Sequence, residues 1–173
     1  MTPESVEYLI EPLNRQHDRV AFSSGVEPLD RYLRTQARQD VDRRVAAVFV
    51  LVPAGSVAVV GYYTLSATSV AIIGLPDDIR KRLPRYPDVP ATLVGRLAVD
   101  QGHRGLRLGE RLLADAFDRS LRVSDEVASF AIVVDAKDEA ARRFYEHYEF
   151  QPFPGQQDRL FLPMDTVSRL RAP

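Results

Sequence analysis

The rhythm of apolar and polar positions changes twice along the chain, and each change predicts a different kind of element. Residues 6–13, Val-Glu-Tyr-Leu-Ile-Glu-Pro-Leu, read as a first strand. After Ser23-Ser24-Gly25 the spacing turns helical: Pro28 stands near the start, and Leu29, Leu33 and Ala37 share one face. Residues 45–52 and 57–65 are β-branched and aromatic runs on either side of Pro53-Ala54-Gly55-Ser56, the signature of an antiparallel hairpin. Residues 68–73 predict a further strand. Asp77-Asp78 opens a short helix over Ile79–Leu83, and the prolines at 76, 84, 87 and 90 make this region irregular.

The second half alternates strand and helix. A strand is predicted over 92–99. A helix follows over 108–122, with Leu112, Leu113, Ala116, Phe117 and Leu121 at core-facing spacing. Residues 127–134 form an apolar strand. Ala141, Phe144, Tyr145 and Tyr148 mark the inner face of another helix, and 150–153 and 159–164 close the chain as strands. A β-α-β order implies parallel pairing around the first of these helices. With no repeat, no low-complexity tract and no linker, the reading is one α/β domain over 1–173.

The run from Arg44 to Asp77 contains no charge and is long enough to cross a bilayer. The Pro53–Ser56 break and the β-branched composition of both halves favour two buried strands, so a membrane span is rejected. The N-terminal residues Glu4, Glu7 and Glu11 do not make a signal peptide. Cysteine is absent, which excludes disulfides, thiolate zinc sites and a cysteine nucleophile, and fits a cytoplasmic location.

Net charge is −1, which exerts no global pull on nucleic acid, but the cations are unevenly placed. All are arginine except Lys81 and Lys137. Five arginines between Arg31 and Arg44 face Asp40 and Asp42, and eight cations between Arg80 and Arg111 face Asp88, Asp100 and Glu110. A solvated arginine-rich surface and a localised basic patch both accommodate this. His17, His103 and His147 share no metal-ligand or triad spacing, and no metal is expected. His103 reads as a turn residue, the other two as surface residues.

His103-Arg104-Gly105-Leu106-Arg107-Leu108-Gly109 lies between a predicted strand and an amphipathic helix. The first N–H groups of a helix lack partners and its dipole favours negative charge, so a glycine- and arginine-bearing entry loop suits a pyrophosphate. Equally, such residues form ordinary turns and solvated first turns. Context separates the two. Gly95-Arg96-Leu97-Ala98-Val99-Asp100 followed by Arg104-Gly105-x-Arg107-x-Gly109 resembles the acetyl-CoA motif of the GNAT acetyltransferases, Arg/Gln-x-x-Gly-x-Gly/Ala, with Arg107 in place of the central glycine. Asp138-x-x-Ala141-x-x-Phe144-Tyr145-x-x-x-x-Phe150 is similar to that family's Asn-x-x-Ala-x-x-Phe-Tyr-x-x-x-Gly-Phe segment, with Asp138 for Asn and Glu149 for Gly.

The resemblance implies a GNAT fold: a mixed central sheet with splayed fourth and fifth strands, flanked by helices. It implies acetyl-CoA as co-substrate, held by Leu97, Ala98, Val99, Arg104, Gly105, Leu106, Arg107, Leu108, Gly109 and Asp138. A backbone N–H near Leu97 or Ala98 would face the thioester oxygen, and Tyr145 would act as general acid toward the leaving thiolate in a direct transfer to an amine. On pattern alone Tyr145 is a core tyrosine.

Within the family, the chain is similar to tRNA-acetylating toxins of toxin–antitoxin modules. The likeness rests on Phe22-Ser23-Ser24-Gly25 with Leu29-Asp30-x-Tyr32-Leu33, on Val48–Leu51, on Gly61-Tyr62-Tyr63-Thr64-Leu65-Ser66 and on Leu83-Pro84-Arg85-Tyr86-Pro87. It implies aminoacyl-tRNA as acceptor and a ribbon-helix-helix antitoxin as partner, and allows a homodimer. Arg80, Lys81, Arg82, Arg85 and Arg96 are the expected acceptor contacts, with Arg31, Arg34 and Arg38 as a second set. Two other readings stay open: a GNAT enzyme for a small amine or a protein amine, and a non-catalytic domain that has kept the fold.

Overall fold

The computed structural model describes residues 5–173. The elements run β1 (Tyr8–Pro12), α1 (Glu27–Arg31), a π-helical turn (Tyr32–Gln36), α2 (Ala37–Asp42), β2 (Ala47–Pro53), β3 (Gly61–Ala71), α3 (Asp77–Arg80) and β4 (Asp88–Val99). After these come α4 (Leu108–Val123), β5 (Ala131–Asp135), α5 (Glu139–His147), β6 (Gln151–Phe153), β7 (Gln156–Pro163) and α6 (Met164–Leu170). The strands form one sheet in the order β1-β2-β3-β4-β5-β7-β6, in which β4 and β5 are parallel. Their register runs from Thr92↔Ile132 to Val94↔Val134, whereas β4 continues beyond it to Val99. This is the splay expected of the fourth and fifth strands.

The described residues pack as two compact units, one running up to Leu65 and taking in Arg96–Ala116, the other Ser66–Gly95 with Phe117–Pro173. In the first, Val48, Val50 and Val52 alternate onto one face of β2 and pack with Leu33, Ala37, Tyr32, Tyr62 and Ala98. Leu51, on the opposite face, is also fully buried. Gly61 lets helix and sheet approach: a Cβ there would lie 3.1 Å from a Leu112 methyl and 3.3 Å from the Ala98 carbonyl oxygen. The π turn shifts the helical phase, since the Ala37 N–H bonds the Tyr32 carbonyl, and Tyr32, Leu33 and Ala37 are all buried. In the second unit Val70, Ile72, Val89, Ala91, Ala131, Val133, Phe153 and Phe161 form the core.

The uncharged run is two antiparallel strands, and no helix among the described residues is long and apolar enough to cross a membrane. Several boundaries differ from the pattern. The strands expected at 57–65 and 68–73 are one strand, β3, because neither glycine nor proline interrupts 62–71. Val57 and Val59 instead exchange backbone bonds with Asp18, at 2.7 and 3.0 Å. The strand expected from 127 begins at Ala131; Val127 is 69% exposed, and its N–H bonds the Val123 carbonyl in a last helical turn. Helix α6 has no counterpart in the sequence pattern. It buries Met164 and Val167, and Arg171 after it binds Asp118 through two nitrogens at 2.8 and 2.9 Å.

His17 is not a surface residue. It is 6% exposed, accepts the Asn14 N–H at Nδ1 and places Nε2 2.6 Å from Glu11 Oε1. With Nδ1 accepting, Nε2 carries the proton and donates, so the ring clamps the turn that follows β1. His147 is exposed as expected.

Candidate active site

In the first unit, β4 delivers Leu97, Ala98 and Val99 into Asp100, a single 3₁₀ turn (Gln101–His103) and the loop Arg104–Arg107 that opens α4. Asp100 organises the start of this loop. Its carboxylate accepts the N–H groups of Ser23 and Gly102, each at 3.0 Å, and sits 3.1 Å from His103 Nδ1. Partial burial opposes its ionisation, but these donors outweigh burial and hold the carboxyl below the usual carboxylate range. The segment Ser23–Gly25 is bound along the loop: Gln101 donates its N–H to the Ser23 carbonyl at 2.8 Å, and Arg104 donates to the Ser24 carbonyl at 3.0 Å. Gly25 has φ +89°, and a Cβ on it would press on the Gln101 amide and the Arg104 guanidinium. His103 is the turn residue expected of it.

Gly105 and Arg107 both have positive φ, 82° and 57°. Arg107 therefore holds the left-handed conformation that the glycine of the resembled motif supplies freely, at a cost of ~1–2 kcal/mol. The Arg111 N–H bonds the Arg107 carbonyl at 3.1 Å, so the N–H groups of Leu108, Gly109 and Glu110 have no acceptor within α4. Arg104, Gly105, Leu106 and Arg107 are exposed, Leu108 is buried and Gly109 half-buried. Two arginines, two left-handed residues and a free helix N-terminus on a four-turn helix fit the anionic end of a nucleotide-bearing co-substrate.

Arg96 lies on the same strand. Its guanidinium lies 3.5 Å above the Tyr32 ring, and its N–H bonds Thr64 Oγ1 at 3.1 Å. Tyr32 donates to Asp40 at 2.8 Å, and Tyr62 donates to the Leu29 carbonyl at 2.7 Å. Burial raises the phenols of Tyr32 and Tyr62 well above the ordinary tyrosine range; the Asp40 bond adds to this for Tyr32. Of the second arginine set, Arg34 pairs with Glu27 and Arg38 with Asp42, while Arg31 is exposed.

In the second unit, Asp138 is the N-cap of α5 and accepts the Ala141 N–H at 2.8 Å. Tyr145 is the one buried residue of that helix, with ring centroids 5.3 Å from Phe144 and 5.4 Å from Phe150. Burial, and then the charge of Asp135, push its phenol far above the ordinary value. The helix ends in a Schellman motif: Phe150 N–H to the Tyr145 carbonyl, 3.2 Å, and Glu149 N–H to the Glu146 carbonyl, 3.0 Å. Glu149, where the motif has glycine, has φ +71°. Arg80, Lys81, Arg82 and Arg85 are exposed on α3 and the turns after it; Arg80 is paired to Asp77, and Arg82 Nε donates to the Asp78 carbonyl.

A model of the acetyltransferase (GNAT) domain matches residues 47–152, more than half the chain. The chain belongs to the GNAT acetyltransferase family. The acetyltransferase is 38% identical over 153 residues to a tRNA-acetylating toxin of Mycobacterium tuberculosis, covering 88% of this chain and 90% of the relative. Its fold superposes with a TM-score of 0.89 on AtaT complexed with acetyl-methionyl-tRNAfMet, at 27% identity over 96% of this chain and all of that one. A tyrosine-to-phenylalanine mutant of the AtaT toxin, bound to the C-terminus of the antitoxin AtaR and acetyl-CoA, superposes with a TM-score of 0.82 at 25% identity, covering 96% and 99%.

Sequence pattern assigns no individual role to Asp100, Tyr32, Tyr62 or Asp40. Asp100 and Tyr62 lie in the stretches that carry the family resemblance, but their hydrogen-bond partners are too distant in sequence for any spacing to reveal.

Proposed function

We propose that this acetyltransferase moves the acetyl group of acetyl-CoA to the α-amine of aminoacyl-tRNA, and so acts as a toxin that stops translation. The observation that carries the proposal is the chain-long 38% identity to a tRNA-acetylating toxin. The likeness to AtaT with its acetylated tRNA supports it at the level of the fold.

On this reading residues 1–173 work as one domain. The residues proposed for the acetyl-CoA phosphates are Arg104–Gly109, whose left-handed positions and free α4 N–H groups suit an anion. Main-chain groups at Leu97–Val99 are proposed to hold the thioester end, and Asp138 to fix the start of α5. The neutral amine attacks the thioester carbonyl, the carbon–sulfur bond breaks, the thiolate takes a proton from the Tyr145 hydroxyl, and the proton lost by the acylated nitrogen passes to solvent, which restores the phenol. A phenol whose burial keeps it protonated across the working pH range is a donor and not a base. Arg80, Lys81, Arg82, Arg85 and Arg96 are proposed as acceptor contacts. A ribbon-helix-helix antitoxin is the proposed partner, in keeping with the AtaR complex of AtaT, and a homodimer is the proposed assembly.

In a cell-free translation mixture, the protein with acetyl-CoA is expected to stop synthesis. The same protein with acetyl-CoA omitted is expected to leave synthesis running. Continued synthesis in both mixtures would overturn the proposal.

A further inference from the structure

The first unit carries an open cavity of about 320 Å³ between α1, the π-helical turn and Arg96. Its polar lining is cationic or neutral: Arg31, Thr35, Gln36 and Arg96 around the ring of Tyr32. Arg96 is half-buried, and among the described residues no carboxylate closes an ion pair with it. Asp40 is an acidic group within its electrostatic reach. That carboxylate is committed elsewhere, accepting the Tyr32 hydroxyl at 2.8 Å and the Gln36 amide at 2.9 Å. Both bonds hold the π turn in place, and the Arg96 guanidinium carbon lies 3.5 Å from the Tyr32 ring centroid.

A half-buried guanidinium that stacks on a ring and closes no ion pair keeps N–H donors and charge for an anion. The cavity therefore selects an anionic ligand, and a fixed planar fork prefers a phosphate or carboxylate that can take two of its N–H groups. Arg31, exposed at the rim and without an ion pair among the described residues, adds a second cation. Location narrows the choice. Arg96 directly precedes Leu97 on β4, so the cavity opens within one or two residues, at ~3.3 Å each, of the backbone proposed to face the thioester. On an aminoacyl-tRNA, the anion nearest the reacting amine is the phosphodiester one nucleoside away.

We propose that this cavity binds the phosphodiester on the 5′ side of the acceptor's terminal nucleoside, with Arg96 and Arg31 as its ligands and Tyr32 as the residue that positions Arg96. The inference rests on the aminoacyl-tRNA reading above and assigns a subsite within it.

The test compares two acceptors carrying the same amino acid: intact charged tRNA, and a synthetic aminoacyl adenosine that has no phosphate. Arg96→Gln is expected to lower kcat/KM on charged tRNA by at least about tenfold, chiefly through KM, and to lower it far less on aminoacyl adenosine. Arg31→Gln, at an exposed position where folding is not at stake, is expected to show the same preference at smaller size. Equal losses on the two acceptors in both variants would overturn the subsite while leaving the aminoacyl-tRNA reading in place. If the wild-type protein acetylates neither acceptor, that reading falls and the subsite with it.

Discussion

Asp100 accepts the backbone N–H of Ser23 at 3.0 Å, tying the segment before α1 to the loop that opens α4. Arg104 completes the tie through the Ser24 carbonyl. The proposed phosphate loop is thus held from outside its own sequence, by a stretch far upstream that carries no chemistry of its own.

Asp100→Ala is expected to destabilise the fold by ~1–3 kcal/mol, because the Ser23 and Gly102 N–H groups lose a charged acceptor. Acetyl-CoA affinity should fall with it. The carboxyl titrates below its unfolded value of ~3.9, so its contribution is fully present above that pH and is lost as pH falls through the folded value. Denaturant melts of wild type and variant should differ at neutral pH and converge under acid. A constant gap would show that the loop is held by other interactions.

Glu149 and Arg107 both occupy left-handed positions where the resembled motifs carry glycine, and the two substitutions should part company. Glu149→Gly relieves the strain and gives up an exposed ion pair to Arg169, so the protein should gain ~1 kcal/mol, a rise in Tm of roughly 2–4 °C, with acetyl-CoA affinity unchanged. Arg107→Gly should stabilise similarly yet weaken acetyl-CoA binding about tenfold or more, since a cation leaves the loop. Calorimetry and thermal melts on the pair check this. Equal affinities in the two variants would remove Arg107 from the site.

The order of strands and helices, the parallel β4–β5 pair and the loop at the start of α4 are legible in the sequence, because periodicity and turn chemistry act between near neighbours. At Arg107 and Glu149 the sequence departs from glycine, yet the backbone keeps the conformation that glycine would favour, because helix α4 and the Schellman turn after α5 demand it. What spacing does not reveal is long-range: Ser23 on Asp100, Arg96 on Tyr32, and an α6 fixed by Arg171 on Asp118. Each depends on a partner that only the folded chain supplies.

Tyr145→Phe should leave acetyl-CoA affinity and thermal stability near wild type while turnover falls ~10²–10⁴-fold. The raised phenol also sets a pH profile. Rate should climb as the acceptor's α-amine deprotonates, near pH ~8, and then stay level past pH ~10, where an ordinary tyrosine would ionise. An unchanged turnover in the variant would return Tyr145 to a packing role.

Lys81 and Arg85 are exposed, and neither forms an ion pair among the described residues. If they meet tRNA phosphate, replacing both with Ala should raise KM for charged tRNA. It should also flatten the slope of log affinity against log salt by roughly 0.7–0.9 for each phosphate that is no longer neutralised. Acetyl-CoA affinity should not move. An unaltered salt slope would mean that these cations are only solvated.

The most direct measurement is incubation of the purified protein with acetyl-CoA and a fully charged tRNA pool, followed by mass spectrometry of the aminoacyl adenosines released by nuclease. Acetylation on the α-amine of one or a few aminoacyl species, absent when acetyl-CoA is omitted and strongly reduced in Tyr145→Phe, is the predicted result. A pool left unacetylated by protein that binds acetyl-CoA and acetylates a simple amine would contradict the account.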